Sequence, residues 1–267
     1  MSKKRVYSDD ERVIRIWDIE TVKDLMSRRQ VMQMNNERRE ELDKLWVTEP
    51  KYRATASLGS NWGYYVGMDE ISRHYVAEYT DTLQKALDEK CAVNPNLKNI
   101  RDNFGYGDLI AHHVSTPCVV LADDGKTAKG VWYSLGVECS GNPDGSCKAM
   151  WYPERVCADF VKESSGEWKI WHVLVSSDVT YEAGTNLGDV ETFTGKPGLA
   201  QQQFGEPTMP YVVHNPDYGW SDAYPTVPPV AYETYDPEKS FGAEGRPRWH
   251  KGHPNYRKEY QGKGKHI

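Results

Sequence analysis

The sequence predicts an α+β domain, with helices packed on one face of a curved antiparallel sheet. Two observations carry this. Up to about residue 89, apolar residues recur at helical spacing. From Ile110 to Asp178, β-rich runs follow one another with turn residues between them. Helices first and successive strands after is the order of an α+β fold rather than of alternating βαβ units.

The elements can be justified in turn. Ser8-Asp9-Asp10-Glu11 matches a capping box, and Arg12 to Trp17 reads as a short leading helix. Asp18 then offers an N-cap for a longer helix. On it Val22, Leu25, Met26, Met32 and Gln33 form one stripe, with Arg29 near its centre. A guanidinium on a buried face needs a partner or a solvated cavity. A structural ion pair and a group aimed into a pocket are both open. Glu37 to Trp46 reads as another helix ended by Pro50, and Tyr52 to Ser57 as a short strand. Asn61 to Gly67 contains Trp62, Tyr64 and Tyr65 between glycines, which suits a wall for a flat substrate. Asp69 to Glu89 carries Ile71, Tyr75, Tyr79, Leu83 and Leu87 at helical spacing. Asn94 to Asp108 is a loop and a lid candidate, and Lys98 and Arg101 in it are most simply solvated charges.

The stretch from Ile110 to Val137 is the centre of the sheet. Asp124-Gly125 between two β-rich runs is a strong hairpin signal. His112 and His113 are strand neighbours, so they face opposite sides and only one can look inward. Adjacent histidines on opposite faces cannot chelate one ion, so no metal site is expected. Ser140 to Ser146 is a turn. Lys148 to Val161 and Glu167 to Asp178 are two further strands around Ser164-Ser165-Gly166, and the second contains His172. Beyond Thr180 the texture changes. Ten of the fifteen prolines lie there, together with Phe193, Phe204, Tyr211, Trp220, Tyr232, Tyr235 and Trp249. Such proline density suppresses helix and central strand, whereas disordered tails are usually poor in aromatics. The expected organisation is a lead segment over 1–17, an α+β domain over 18–180, and an arm over 181–267 that docks on its own domain or a neighbour.

Composition sets outer bounds. The chain has 267 residues and a net charge of -6, which argues against a nucleic-acid footprint. The N-terminal stretch has no long apolar run, so neither an export signal nor a membrane span is expected, and a cytoplasmic location follows. Five cysteines without CxxC spacing fit free thiols there, although Cys139 and Cys147 flank a loop and could pair under oxidation. No glycine-rich phosphate loop supports a nucleotide cofactor.

The helical front, followed by His112-His113-Val114-Ser115-Thr116-Pro117, the run from Asp123 to Trp132, and Gly166 to His172, resembles the SnoaL-like branch of the nuclear transport factor 2-like superfamily. Gly67 to Ile71 fits it too. The resemblance spans roughly Asp18 to Thr180. It implies a cone-shaped α+β barrel with the pocket inside, no cofactor, and a homo-oligomer, either dimer or trimer. It also implies a small aromatic or polycyclic substrate. Relatives include scytalone and bile acid dehydratases, ketosteroid isomerase, polyketide cyclases and a diarylpropane lyase that releases formaldehyde. Non-catalytic binding roles also occur on this fold. His112, five residues before Pro117, falls at the relatives' acid–base histidine. Their helix-borne tyrosine and aspartate fall at Arg29 and near Met34. The resemblance therefore implies a lyase in which His112 moves a proton, Arg29 steadies an oxygen anion and Tyr64 donates a hydrogen bond. Trp62, Tyr65, His172 and Arg101 would touch the substrate. Turnover should survive exhaustive dialysis against a chelator; loss of activity restored by one added metal would refute the cofactor-free expectation.

Overall fold

A computed structural model of the chain describes residues 5–60, 63–97, 108–177, 181–184, 209–210, 213–215, 220–221 and 228–245. Helix α1 (Asp9–Met34) starts at the capping box, with Ser8 and Glu11 capping each other. It runs through position 18 without a break. Asp18 does not cap it, because its carboxylate is buried and accepts from Trp168 Nε1 at 2.7 Å and Lys162 Nζ at 2.9 Å. Tertiary partners thus claim a side chain whose type favours a helix start. Helix α2 (Arg38–Leu45) follows. Pro50 opens the short α3 (Pro50–Arg53) rather than closing its predecessor, since the first helical turn does not need proline's missing N–H. Strands β1 (Ser57–Ser60) and β2 (Gly63–Val66) form a hairpin in the expected aromatic cluster. Helix α4 (Met68–Ser72) passes through a π-helical stretch, Arg73–Glu78, into α5 (Tyr79–Val93).

The long strands are β3 (Leu109–Leu121), β4 (Thr127–Gly141), β5 (Cys147–Lys162) and β6 (Trp168–Ser177). They pair in sequence as antiparallel neighbours. The hairpin at Gly125, where φ is 70°, joins β3 to β4. The sheet then departs from the antiparallel expectation. Strand β1 pairs with β6 in parallel, Ser57 opposite His172, so the sheet is mixed. The reason is connectivity: β1 and β6 lie far apart in sequence, with helices and four strands between them, and nothing obliges them to meet as a hairpin. The full order is β3-β4-β5-β6-β1-β2-β8, with β8 (Met209–Pro210) at one end and β7 (Tyr181–Glu182) beside β5. The sheet curves without closing. Strand β3 lies at its edge, where a bulge between Ser115 and Cys118 accommodates Pro117, which cannot donate to a ladder. Two short strands, β9 (Val213–Asn215) and β10 (Trp220–Ser221), pair with each other.

Side chains alternate across this sheet, and its two faces differ. One face carries Trp132, Val156, Ala158, Phe160 and Val173 and packs on Val22, Leu25 and Met26 of α1 and Leu42 and Leu45 of α2. The other carries Val131, Cys157 and Leu174 and is covered by Phe241 and Ala243. Helix α1 is also tied to the edge strand itself. Arg15 donates to the carbonyls of Leu121 and Ala122, at 2.8 Å each, and Gln30 Nε2 to that of His112 at 3.0 Å. Among the described residues no helix is long and apolar enough to cross a membrane. Replacing Asp18 with Ala should lower unfolding free energy by roughly 1–3 kcal/mol, because the Trp168 N–H loses a charged acceptor. Urea denaturation would measure this, and an unchanged midpoint would mean that Asp18 does not anchor α1.

Candidate active site

Register places His112 on the helix-facing side of the sheet. Antiparallel pairing sets it opposite Gly136 and, one strand further, Tyr152. The adjoining rows on the same face carry Ser134 with Glu154, and Glu138 with Met150. Two carboxylates therefore flank one imidazole. Nδ1 of His112 lies 2.8 Å from Glu154 Oε2, and Nε2 lies 3.0 Å from Glu138 Oε1. The pair is unequal. The Glu154 side chain is 8% exposed and that of Glu138 39%, so Glu154 sits behind the ring and Glu138 at its open end. Gly136 makes room for the arrangement. A Cβ there would lie 2.4 Å from His112 Nδ1, far inside contact distance, so any larger residue would drive the ring from its place. The Tyr152 ring lies 6.0 Å away, and among the described residues the buried Ser134 hydroxyl has no hydrogen-bond partner.

The electrostatics follow from this geometry. Burial alone would lower the basicity of His112, but the hydrogen bonds and charges of Glu138 and Glu154 outweigh it and hold the imidazole at about 9. The ring is an imidazolium at neutral pH. The phenol of Tyr152 is pushed well above its ordinary range, first by burial and then by the same two carboxylates, so it remains a neutral donor.

Arg29 is joined to the His112 strand through Gln30, which accepts from it and donates to the His112 carbonyl. Its Nη1 donates to Gln30 Oε1 at 2.5 Å, and its Nε lies 3.3 Å from Glu41 Oε1. Glu41 is fully buried and accepts from Trp46 Nε1 at 3.0 Å and Tyr75 at 2.6 Å. Tyr75 and Tyr79 flank Arg38, whose guanidinium carbon is 4.3 Å and 3.6 Å from their ring centres. Burial raises the Tyr79 phenol and Arg38 opposes this, while the charges of Glu138 and Asp108 raise it further, so Tyr79 links the cationic end to the His112 end.

The remaining sequence candidates separate. Tyr65 lies on the helix-facing side, buried and stacked on His74 at 3.7 Å. Tyr64 and His172 lie on the opposite face. Tyr64 donates to the Phe241 carbonyl at 3.1 Å, beneath the segment that covers the sheet. His172 sits under Gly242 and binds Asp159 at 2.9 Å. Asp159 also receives Lys129 Nζ at 2.5 Å and the Phe241 N–H at 2.7 Å. Alternation separates these two residues from His112, so they do not join its site. Trp62 and Arg101 lie outside the described residues, as does most of the expected lid. Glu138, Glu154, Tyr152, Ser134, Glu41 and Arg38 are the groups that sequence reasoning missed. A carboxylate in the otherwise apolar alternating row Met150, Tyr152, Val156, Ala158 and Phe160 was the available signal for Glu154. Among the described residues no group of three or more His, Cys, Asp or Glu is placed to hold a metal ion.

A family model described as the SnoaL-like domain matches residues 15–173. No curated protein matches the chain. Among solved structures the chain is similar to a provisionally named aromatic ring hydroxylase from Novosphingobium aromaticivorans, at 16% identity over 63% of this chain and 94% of that one, with a TM-score of 0.43. It is similar to a provisionally named scytalone dehydratase from the same organism, at 14% identity over 67% and 94%, with a TM-score of 0.42. It is also similar to hexachlorocyclohexane dehydrochlorinase LinA-type3 from Novosphingobium barchaimii, at 12% identity over 67% and 98%, with a TM-score of 0.41. Identity at this level does not carry an activity from one chain to another.

The raised basicity of His112 has a signed consequence. An unfolded histidine titrates near 6.5, whereas His112 keeps its proton to about 9. The folded state therefore binds the extra proton between these values. The stability this contributes is complete below about pH 6.5 and is lost as pH rises through about 9. NMR titration of the imidazole should give a midpoint near 9, and Glu154→Gln should lower it; a midpoint near 6.5 in the parent protein would show that the two carboxylates do not hold the ring.

Proposed function

The chain belongs to the SnoaL-like domain family through residues 15–173, and from that premise we propose a cofactor-independent lyase acting on a hydroxylated aromatic small molecule. The observation that carries this reading is the imidazole of His112 held between a buried and a half-exposed carboxylate. An imidazolium backed by Glu154 is a general acid at rest. The exposed partner, Glu138, is a carboxylate base once a substrate separates it from Nε2. A substrate hydroxyl entering between the two would take the Nε2 proton and leave as water. Glu138 would take the proton lost from the neighbouring carbon, and a C=C bond would form. The same two groups serve the narrower reaction that we favour slightly. There Glu138 takes the proton of a hydroxymethyl O–H, the C–C bond breaks to release formaldehyde, and the electron pair expels the hydroxyl that His112 protonates. Arg29 would steady oxygen charge, and Tyr65 lines the helix-facing wall. Trp62 and Arg101 remain proposed substrate contacts, and a homo-oligomer remains the proposed assembly. Tyr64 and His172 take no part in this reading.

A second reading is favoured by Glu138 itself. A carboxylate base inside the cone is what an isomerase or cyclase of the ketosteroid isomerase type needs, and Glu138 supplies one. Incubation of hydroxylated aryl-alkyl probes in deuterated water, followed by mass spectrometry, separates the two. A lyase removes the mass of water, alone or with formaldehyde, whereas an isomerase leaves the mass unchanged apart from deuterium exchange. For either, His112→Gln and Glu154→Gln should reduce turnover ~100- to 10,000-fold with substrate binding nearly unchanged. Full activity in His112→Gln would end both readings.

A further inference from the structure

Arg38 is the group that the proposed chemistry leaves without a task. It is 7% exposed, with its guanidinium slotted between the rings of Tyr75 and Tyr79. Tyr79 also hydrogen-bonds the guanidinium, but among the described residues Nε is buried without a hydrogen-bond partner and Arg38 makes no ion pair. Glu41 is the carboxylate nearest in effect, but its oxygens are already engaged. Oε1 accepts from Trp46 and faces Arg29, and Oε2 accepts from Tyr75. Two buried guanidiniums thus share one saturated carboxylate. The Nε of Arg29 is itself without a hydrogen bond.

This end of the interior therefore carries an excess positive charge. A buried cation without a counter-charge is costly unless a ligand supplies one. The shape of the deficit names the ligand. A guanidinium edge is a planar fork of N–H donors that matches the two oxygens of a carboxylate, and aromatic walls on both sides favour a flat attachment. A neutral amide or alcohol would leave the charge uncompensated.

Building on the lyase reading, we propose that the substrate is an aromatic carboxylic acid whose carboxylate is bound by Arg38, with Arg29 beside it. Its hydroxylated carbon then faces His112 and Glu138. The Arg38 fork orients the molecule, because a carboxylate beside Glu138 would meet a like charge. Arg38 sets specificity and position, while the proton transfers belong to the other end.

Equilibrium binding tests this without any turnover. Benzoate, phenylacetate and 3-phenylpropionate would each be compared with the matching neutral amide by calorimetry on the whole protein. The preferred carboxylate should bind roughly 10- to 100-fold more tightly than its amide and should raise the melting temperature where the amide does not. Arg38→Met should bring carboxylate affinity down to that of the amide and leave the amide unaffected, and Arg38→Lys should restore part of the difference. Equal binding of acid and amide by the parent protein, or no binding of any of the three acids at millimolar concentration, overturns the proposal. So does a carboxylate preference that survives in a folded Arg38→Met protein. Should that variant not fold, the comparison of acids with amides in the parent protein decides. The same measurement in His112→Gln keeps the two ideas apart. A preserved carboxylate preference with unimpaired turnover would sink the lyase reading and leave this one standing. Loss of turnover in His112→Gln, with no preference for acids, would do the reverse.

Discussion

Glu41 has no exposure and no water to turn to, yet Trp46, Tyr75 and Arg29 all address its two oxygens. Much of the interior is arranged by this one carboxylate. It draws Arg29 of α1 toward α2 and holds Tyr75 of the π-helical stretch against both, which leaves Arg38 stacked between Tyr75 and Tyr79. Removing it would strand a guanidinium, an indole N–H and a phenol in a dry core. Buried charges persist when their remaining donors and acceptors are satisfied, and here that condition fixes the helices relative to one another. The π-helical turns fit this role. An irregular turn in a long helix shifts side chains that a regular one would carry past each other, and such stretches are frequent at functional sites.

The two faces of the sheet solve the same problem in opposite ways. On the outer face Lys129, Asp159 and His172 form a closed set. Asp159 is held far below the usual carboxylate range: burial works against this, but the charge of Lys129 and the hydrogen bond from His172 overcome it. Ser240 and Phe241 complete its hydrogen bonds, and Gly242 comes so near the His172 ring that a Cβ would lie 2.7 Å from it. Lys129, Asp159 and His172 are all buried beneath the covering segment. On the helix-facing side His112 has the same kind of carboxylate partner in Glu154 but ends at Glu138, which keeps contact with solvent. Similar residue types thus make a buried strut on one face and a pair open to solvent on the other. The difference is access.

The fold class was legible because it rests on local patterns. Helical spacing in the first ninety residues, the turn at Asp124-Gly125 and alternation in the long strands all act over a few residues, and local energetics do not need the rest of the chain to be known. The prominence of His112 could be read as well, from strand alternation and its place before Pro117. The break expected at Asp18 and the role expected of Pro50 failed for a shared reason. Each residue type has a local preference, and in each case a tertiary or positional alternative satisfied the same chemistry at lower cost.

The sequence by itself determined that helices precede the long strands, that a hairpin turns at Asp124-Gly125, and that His112 is eligible for acid–base work. It could not determine which residues meet. Glu138 and Glu154 come to His112 from two other strands, across 26 and 42 residues, through a register that only the assembled sheet sets. Tyr64 and His172 were eligible by type and excluded by the side of the sheet on which they fall. The parallel pairing of β1 with β6 was likewise invisible, because it joins segments more than a hundred residues apart. Side-chain alternation is a local rule, but which face becomes a pocket and which a covered wall depends on what packs there. That was decided when α1, α2 and α4 settled on one face and residues 240–245 on the other.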